Sequence, residues 1–179
     1  KPKGVIVDHI SVVNLAINNN YINYENIRTI AGLSTFVFDG SIFDVFVPLL
    51  SGKKYFMIGS SDTTNLDLLS NKFVYNNVDT VFFTTALLNS VVENKIEILS
   101  TLDQVLFGGE SSNSKNISII KSKYPNLNLI HVYGPTETVV YSTYCNLKRV
   151  YCINIVPIGK GLNNKKHYTL DNNLLICPI

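Results

Sequence analysis

The sequence predicts an α/β fold in which a mostly parallel sheet is flanked by helices. Apolar runs of strand length alternate with longer amphipathic segments from residue 53 to residue 132. This βαβαβαβ order is typical of a parallel sheet with right-handed crossovers, and a flavodoxin-like arrangement fits it. A chain of 179 residues, 46% of them hydrophobic, is also long enough to bury one domain core.

The first strand and helix are predicted upstream of that alternating region. Residues 35–38 form a short apolar run that we interpret as a strand, and apolar residues at helical spacing follow as far as Leu50. A Ser-Gly pair then provides a stop signal for the helix. On spacing alone, Asp39 or Ser41 is the N-cap of that helix.

Strands and helices are predicted to alternate through the middle of the chain. The apolar runs of strand length lie at residues 53–58, 78–83, 102–107 and 127–132. A helical pattern follows each of the first three runs, and Thr84 or Thr85 lies near the start of the second of these helices. Each helix therefore connects one parallel strand to the next.

The C-terminal part is predicted to leave this pattern. Residues 143–146 continue as a strand, and residues 167–176 form a short β hairpin around an Asp-Asn turn. We therefore divide the chain into an α/β sheet region, residues 1–155, and the start of a following β subdomain, residues 156–179.

Composition and charge argue against several kinds of partner. The formal net charge is only +2 and the basic residues are scattered, so neither a nucleic-acid groove nor a membrane-binding face is expected. No apolar run has the length of a transmembrane helix. Three widely spaced cysteines without a metal-ligand pattern indicate reduced thiols and a cytoplasmic protein.

A polar turn after the last strand of the alternating region is the main candidate for a site. Gly134 and Pro135 end the strand, and hydroxyl and carboxylate side chains follow at once. Ligands of open α/β sheets bind beyond the carboxyl ends of the strands. Tyr133 could stack on a base, the Thr136 and Thr138 hydroxyls could reach phosphate oxygens, and Glu137 could hold Mg²⁺. On spacing alone, an ordinary surface turn is the better interpretation.

Five stretches together favour the functional interpretation. They are Lys-Pro-Lys-Gly at residues 1–4, Phe-Asp-Gly-Ser at 38–41, Phe-Gly-Gly-Glu at 107–110, Tyr-Gly-Pro-Thr-Glu at 133–137 and Val-Pro-Ile-Gly at 156–159. In this order and spacing, the chain resembles the adenylate-forming, AMP-binding enzymes, and in particular the adenylation domains of nonribosomal peptide synthetases. The resemblance implies that residues 1–179 are an internal piece of that family's large N-terminal domain.

The resemblance also implies an activity and its partners. Enzymes of this family use ATP and Mg²⁺ to convert an amino acid into an aminoacyl adenylate. The acyl group then passes to the phosphopantetheine thiol of a peptidyl carrier domain, which works beside condensation domains in the same synthetase. Two alternatives stay open: an acid–coenzyme A ligase of the same superfamily, or a fragment that binds without turnover.

Nucleotide contacts are transferred from the family residue by residue. The cofactor-binding positions are Lys3, Gly109, Glu110, Tyr133, Gly134 and Thr136, and the catalytic positions are Thr136 and Glu137, the latter also as the metal ligand. His131 stands where the family usually has Asn, so the amide that could contact adenine is absent. A purely structural histidine is the alternative interpretation there.

The amino-acid pocket is transferred in the same way. Its positions are Asp39, Gly40, Phe43, Phe82, Leu106, Gly108, Val132, Val140 and Tyr141. The resemblance implies that Asp39 pairs with the α-ammonium group of the substrate. Because the other side chains are apolar apart from the Tyr141 hydroxyl, a charged substrate side chain is disfavoured. The set is similar to pockets for isoleucine, although valine or leucine differs by little free energy. Ordinary core packing is the alternative for the apolar members.

Overall fold

Seven strands form one sheet in the computed structural model, which describes residues 4–17, 19–59, 61–150 and 155–177. They are β1 (Thr29–Gly32), β2 (Lys54–Met57), β3 (Thr80–Thr84), β4 (Gln104–Gly108), β5 (Asn128–Tyr133), β6 (Thr143–Asn146) and β7 (Lys160–Gly161). Their order is β2-β1-β3-β4-β5-β6-β7. The first five strands in this order are parallel, and β6 and β7 are antiparallel. The predicted fold class is confirmed, and the parallel part has the flavodoxin strand order.

Helices cover both faces of the sheet. They are α1 (His9–Ala16), α2 (Gly40–Leu50), α3 (Leu66–Tyr75), α4 (Thr85–Asn94) and α5 (Ser114–Lys123). Buried side chains of α1 and α2 pack on one face, here called the α2 face. Those of α3, α4 and α5 pack on the other, here called the α5 face. Because both faces are covered, the central strands are apolar nearly throughout, which explains their short continuous apolar runs.

Local sequence signals set the helix boundaries largely as predicted. Thr84 is the N-cap of α4, and its hydroxyl accepts a hydrogen bond from the Leu87 backbone N–H at 3.3 Å. Asn65 caps α3 in the same way through the Leu68 N–H. A side-chain oxygen at the N-cap satisfies a backbone donor that has no partner within the helix.

The strand predicted at residues 35–38 is wrong. The strand of this region is β1, six residues upstream, and all four of its residues are buried between β2 and β3. The Asp44 carboxylate accepts hydrogen bonds from the backbone N–H groups of Leu33 and Ser34, which turns the chain away from the sheet. Phe36 and Val37 are 73% and 98% exposed, so this apolar run lies in a loop rather than in the core.

The C-terminal part contains the predicted hairpin in a short form. Leu170 and Ile176 form an antiparallel bridge, and Asp171 donates its backbone N–H to the Leu175 carbonyl oxygen at 2.9 Å. β7 was not predicted; it extends the sheet by pairing with β6. In the described part of the chain, no helix has the length and apolar character needed to cross a bilayer.

Candidate functional site

The predicted site residues meet at the carboxyl ends of the parallel strands. A cavity of about 270 Å³ opens there on the α2 face, and we call it the α2-face cavity. The predicted pocket residues that line it are Asp39, Phe82, Gly108, Val132, Val140 and Tyr141. Gly134 and Thr136, predicted to contact a nucleotide, line the same cavity. Residues distant in sequence therefore share one concave surface where α/β sheets bind ligands.

Asp39 is held by the turn that follows β5. It is the N-cap residue of α2, one of the two positions that spacing predicted, but its side chain makes no capping hydrogen bond. Instead, Asp39 Oδ2 accepts a hydrogen bond from the Thr136 hydroxyl at 2.6 Å. This contact joins the candidate amine-binding carboxylate directly to the Gly-Pro-Thr-Glu turn, on the same side of the sheet edge.

Three predicted pocket residues lie behind the cavity wall. Gly40, Phe43 and Leu106 are buried and are not among the residues that line the cavity. The Phe43 ring packs against Tyr141 at a centroid distance of 5.5 Å and against Phe82 at 6.4 Å. These side chains support the lining residues and so fix the depth of the cavity, because close-packed interiors transmit changes in volume.

The Tyr141 hydroxyl is buried without a hydrogen-bond partner among the described residues. Burial first, and then the neighbouring Tyr21, Asp44 and Asp39, raise the pKa of Tyr141 well above its ordinary value. The phenol is therefore neutral at physiological pH. An unpaired buried hydroxyl costs free energy, and such groups are uncommon in native proteins.

The wall that carries Val140 and Tyr141 has a strained backbone. Val139 and Val140 have φ values of 57° and 65°, in the left-handed region that β-branched residues rarely adopt. Each such residue costs of order 1–3 kcal/mol and persists only where its surroundings enforce the conformation. We call residues 138–141 the pocket loop. The Lys165 ammonium group donates to the carbonyl oxygens of Thr138 and Tyr141, at the two ends of this loop.

Sequence reasoning missed Lys165. The residue lies in a polar stretch near the C-terminal end, where a lysine is normally solvated. Burial lowers its pKa to about 8. No sequence pattern signals this contact, since it depends on the backbone path of a loop more than twenty residues upstream.

A second cavity lies across the sheet edge on the α5 face. This α5-face cavity has a volume of about 430 Å³. Gly109, Glu110 and Tyr133, all predicted to contact a nucleotide, line it together with His131 and Ile158. The ring of Tyr133 is 52% exposed and so is accessible for stacking.

Gly109 lines both cavities and lies on the part of the sheet edge between them, here called the crest. Its φ of 102° disfavours any other residue, and the space where a Cβ would project is open. At Gly108 a Cβ would come within 2.1 Å of the Val132 carbonyl oxygen, so this glycine allows β4 and β5 to approach closely. An extended ligand can therefore cross the edge over bare backbone and occupy both cavities.

The turn after β5 presents the candidate phosphate and metal ligands. Thr136 and Glu137 lie in a single helical turn, Thr136–Thr138, and Glu137 is exposed. The Thr138 hydroxyl is engaged with the Pro135 carbonyl oxygen at 2.9 Å. Among the described residues, no three His, Cys, Asp or Glu side chains cluster as a metal site. Mg²⁺ commonly takes one or two carboxylates plus phosphates and water, so Glu137 fits a Mg²⁺ ion that arrives with a nucleotide. Lys3 lies outside the described residues.

Comparison with known proteins identifies the class. The AMP-binding enzyme family matches residues 1–178, and the chain belongs to that family. The resemblance found in the five motifs is thereby confirmed at the level of the family.

Its curated relatives are nonribosomal peptide synthetases. The chain is 36% identical to bacitracin synthase 1 of Bacillus licheniformis, over 99% of this chain and 3% of that protein. It is 34% identical to surfactin synthase subunit 1 of Bacillus subtilis (strain 168), over 99% of this chain and 5% of that protein. The chain thus spans only a few per cent of the length of these relatives.

Solved structures share the fold. Holo-PA1221, described as an NRPS protein containing adenylation and PCP domains, superposes with a TM-score of 0.87 at 20% identity, covering 96% of this chain and 30% of that one. The N-terminal subdomain of Klebsiella oxytoca NpsA in complex with anthranilyl-AMSN gives a TM-score of 0.84 at 20% identity, covering 97% of this chain and 45% of that one. At these identities the likeness establishes the fold.

Proposed function

We propose that the protein carrying this segment activates an α-amino acid with ATP and Mg²⁺ as an adenylation domain of a nonribosomal peptide synthetase. The substrate carboxylate attacks the α-phosphorus of ATP, the bond from that phosphorus to the pyrophosphate oxygen breaks, and pyrophosphate leaves. An aminoacyl adenylate remains. Residues 1–155 would supply the sheet region of the large domain apart from its edge strand β7, and residues 156–179, which contain β7, would begin its β subdomain.

The contact between Asp39 and Thr136 carries the proposal. Its 2.6 Å hydrogen bond fixes a carboxylate for the substrate amine beside the turn assigned to the phosphates. One small molecule with an amine at one end and an acyl phosphate at the other could span both groups. Such a reaction depends mainly on positioning and on charge stabilisation rather than on a protein nucleophile.

The two cavities support separate binding sites for the amino acid and the adenine on opposite sides of the sheet edge. The amino acid would occupy the α2-face cavity, with its ammonium group on Asp39. The adenine would occupy the α5-face cavity, stacked on Tyr133 and bordered by Gly109 and Glu110. The phosphates would lie at the crest, where Thr136 and Glu137 could contact them and Glu137 could hold Mg²⁺.

A branched aliphatic amino acid, with isoleucine first, is the proposed substrate. Phe82, Val132 and Val140 present apolar surface to the α2-face cavity, and Gly108 lines it without a side chain. Burying a charged side chain there without a partner would be costly. A single methylene contributes only about 1–3 kcal/mol to discrimination, so valine and leucine should be accepted more weakly rather than rejected.

Transfer of the aminoacyl group to a carrier domain would follow. The phosphopantetheine thiol attacks the carbonyl carbon of the adenylate, AMP leaves, and a thioester forms on the carrier. Holo-PA1221 contains adenylation and PCP domains, which supports a peptidyl carrier domain as the partner. Condensation domains and a cytoplasmic location belong to the same proposal.

An acid–coenzyme A ligase is the second candidate, because the superfamily includes such enzymes. Asp39 argues against it, since a fatty or aryl acid has no amine to neutralise a carboxylate beside the reacting group. Leaving that half-buried carboxylate without a positively charged partner would weaken binding.

Amino-acid-dependent pyrophosphate exchange tests the proposal on the full-length protein. Isoleucine is expected to stimulate exchange most, with valine and leucine weaker by about tenfold or more. Stimulation by a fatty or aryl acid instead would favour the ligase. The isolated 179-residue chain is expected to be inactive in the same assay, because it covers only 30% of holo-PA1221, whose fold it shares.

A further inference from the structure

Tyr21 is a buried aromatic residue behind the α2-face cavity. It lies between α1 and β1, is 2% exposed and belongs to the core on the α2 face. Its hydroxyl donates to the Leu15 carbonyl oxygen at 3.0 Å, which fixes the outer end of the side chain. Tyr21 is neither among the residues that line the cavity nor among the pocket positions that the family motifs imply. Its contacts nevertheless reach the cavity wall.

The Tyr21 ring packs against two residues of the predicted amino-acid pocket. Its centroid lies 5.8 Å from that of Tyr141, with an interplanar angle of 72°, and 6.4 Å from that of Phe43. Tyr144 of β6 packs on it edge-to-face at 6.4 Å. Edge-to-face contacts of this kind are favourable between aromatic rings. Tyr21 therefore lies in the layer behind Tyr141, which itself lines the cavity.

Ring contacts hold the Tyr141 side chain in place. Among the described residues, no polar atom pairs with its hydroxyl, so no hydrogen bond fixes the ring. The contacts come from Tyr21, Phe43 and Phe82, the last at a centroid distance of 5.6 Å. Burial raises the pKa of Tyr21 well above its ordinary value, as it does for Tyr141, so both phenols are neutral. A change of volume at Tyr21 is therefore transmitted to the cavity wall by packing.

We propose that Tyr21 is a specificity-determining residue that sets the depth of the amino-acid site by supporting Tyr141 and Phe43. The inference rests on the proposed function, since it assigns the substrate side chain to the α2-face cavity. When a large core residue is replaced by a smaller one, its neighbours move partly into the vacated space. Tyr141 would then move away from the α2-face cavity, and the cavity would deepen. A deeper cavity favours a longer, unbranched side chain over that of isoleucine.

Substrate preference in amino-acid-dependent pyrophosphate exchange tests the inference on the full-length protein. Tyr21→Leu removes the ring, and the ratio of kcat/KM for methionine to kcat/KM for isoleucine should rise about tenfold, the discrimination typical of a single methylene. A purely structural residue would lower both kcat/KM values equally and leave the ratio unchanged. Tyr21→Phe keeps the ring and its packing, and its ratio should stay within about twofold of the wild type.

Phe73→Leu is the matched control on the opposite side of the sheet. Phe73 lies in α3, is fully buried on the α5 face and packs against Phe83 at a centroid distance of 6.4 Å. Loss of this ring should lower stability in the same way as the loss of the Tyr21 ring. The ratio of methionine to isoleucine should stay unchanged, because the sheet separates Phe73 from the α2-face cavity.

Tyr21→Met is the second variant for the case that Tyr21→Leu does not fold. Methionine nearly conserves volume but is flexible, so it tolerates burial while supporting Tyr141 less firmly, and the ratio should rise at least about threefold. An unchanged ratio in folded Tyr21→Leu or Tyr21→Met, or an equal rise in Phe73→Leu, would overturn the inference. So would a rise in Tyr21→Phe as large as in Tyr21→Leu, because the hydroxyl rather than the ring would then set the depth. Failure of every amino acid to stimulate exchange by the wild type would instead reject the proposed function.

Discussion

At the amino ends of the strands, buried polar side chains hydrogen-bond to one another across the sheet, whereas at the carboxyl ends several have no partner among the described residues. Asp79 represents the first group. One of its carboxylate oxygens accepts from the backbone N–H groups of Arg28 and Thr29, and the other accepts from the Thr80 hydroxyl. The residue is 1% exposed, so these bonds offset the cost of burying its charge.

A chain of amides continues this network along the amino ends. Gln104 accepts from the Asn23 backbone N–H at 2.7 Å and from the Asn128 amide at 3.1 Å. Asn128 in turn accepts from the Asn146 amide at 2.7 Å, which connects β4, β5 and β6. A fully paired network of this kind rigidifies a structure. This end of the sheet therefore contributes to stability.

The carboxyl ends keep unpaired groups instead. In the described part of the chain, the buried polar atoms without a partner there are Asp44 Oδ1, Ser112 Oγ, Tyr141 Oη and Thr143 Oγ1. The strained pocket loop lies at the same end. Sites that bind ligands commonly break local rules of stability that the rest of the fold obeys. The difference between the two ends thus separates residues that hold the fold from residues available to a ligand.

Alanine substitutions at the two ends of the strands should differ most in their effects on activity and on stability. Asp39→Ala removes the proposed partner of the substrate ammonium group and should lower kcat/KM for amino-acid-dependent exchange by about hundredfold. Its unfolding temperature should fall only slightly, because the Asp39 side chain makes one hydrogen bond, with the Thr136 hydroxyl, and caps no helix end. Exchange assays and thermal unfolding of the same preparation measure both. Retained activity in Asp39→Ala would remove the residue from the amine site.

Asp79→Ala should have the opposite profile. It leaves backbone N–H groups buried without an acceptor and should lower the free energy of unfolding by about 3 kcal/mol. The KM for the amino acid should remain within about twofold, since the carboxylate lies at the far end of the strands. Urea unfolding measures the free energy of unfolding, and exchange kinetics at low temperature measure the KM. A large change in KM would show that the two ends are coupled.

Lys165→Met tests whether the hydrogen bonds of Lys165 hold the pocket loop in its strained conformation. Loss of the two bonds to the loop carbonyls should let the strained backbone relax and raise the KM for the amino acid by about fivefold to tenfold, with a smaller effect on kcat. Lys166→Met, which changes the exposed neighbour, is the control and should have little effect. Equal KM values in both variants would reject a positioning role for Lys165.

The pH dependence of stability gives a second measurement on Lys165. Burial lowers its pKa to about 8 in the folded protein, below the ordinary value of 10.5. Between these values the unfolded chain binds more protons at this residue than the folded one, so its contribution to stability increases as the pH rises. The difference in unfolding midpoint, wild type minus Lys165→Met, should therefore become more positive between pH 8 and pH 10. A difference that stays constant over this range would contradict the shifted pKa.

Much of the fold could be predicted because its signals are local. Four of the parallel strands and the helices between them follow from apolar periodicity, and the cap at Thr84 from residue type. β1 was missed because Thr-Ile-Ala-Gly is short and has small residues, while the more apolar run at residues 35–38 lies in a loop. Only tertiary burial distinguishes the two runs.

The candidate site could be predicted only in part, for a similar reason. Strand order brings Asp39 and Thr136 to one edge, so their proximity follows from topology together with the family motifs. Which apolar side chains line the cavity and which support it depends on packing depth, as Phe43 illustrates. The hydrogen bonds of Lys165 to the pocket loop depend on the paths of two loops, which sequence periodicity does not encode.

Tyr141→Phe should have the smallest effect and sharpens the choice of substrate. The phenol oxygen has no partner in the described structure, so its removal should leave stability unchanged or raise it by up to about 1 kcal/mol. If the substrate side chain is aliphatic, kcat/KM for isoleucine should stay within about threefold, because no hydrogen bond is lost. If the hydroxyl pairs with a polar substrate group, kcat/KM for that substrate should fall by tenfold or more. Exchange assays with isoleucine and threonine, run on the wild type and the variant, distinguish these outcomes. A loss of kcat/KM with threonine but not with isoleucine would show that the cavity binds a hydroxylated side chain rather than that of isoleucine.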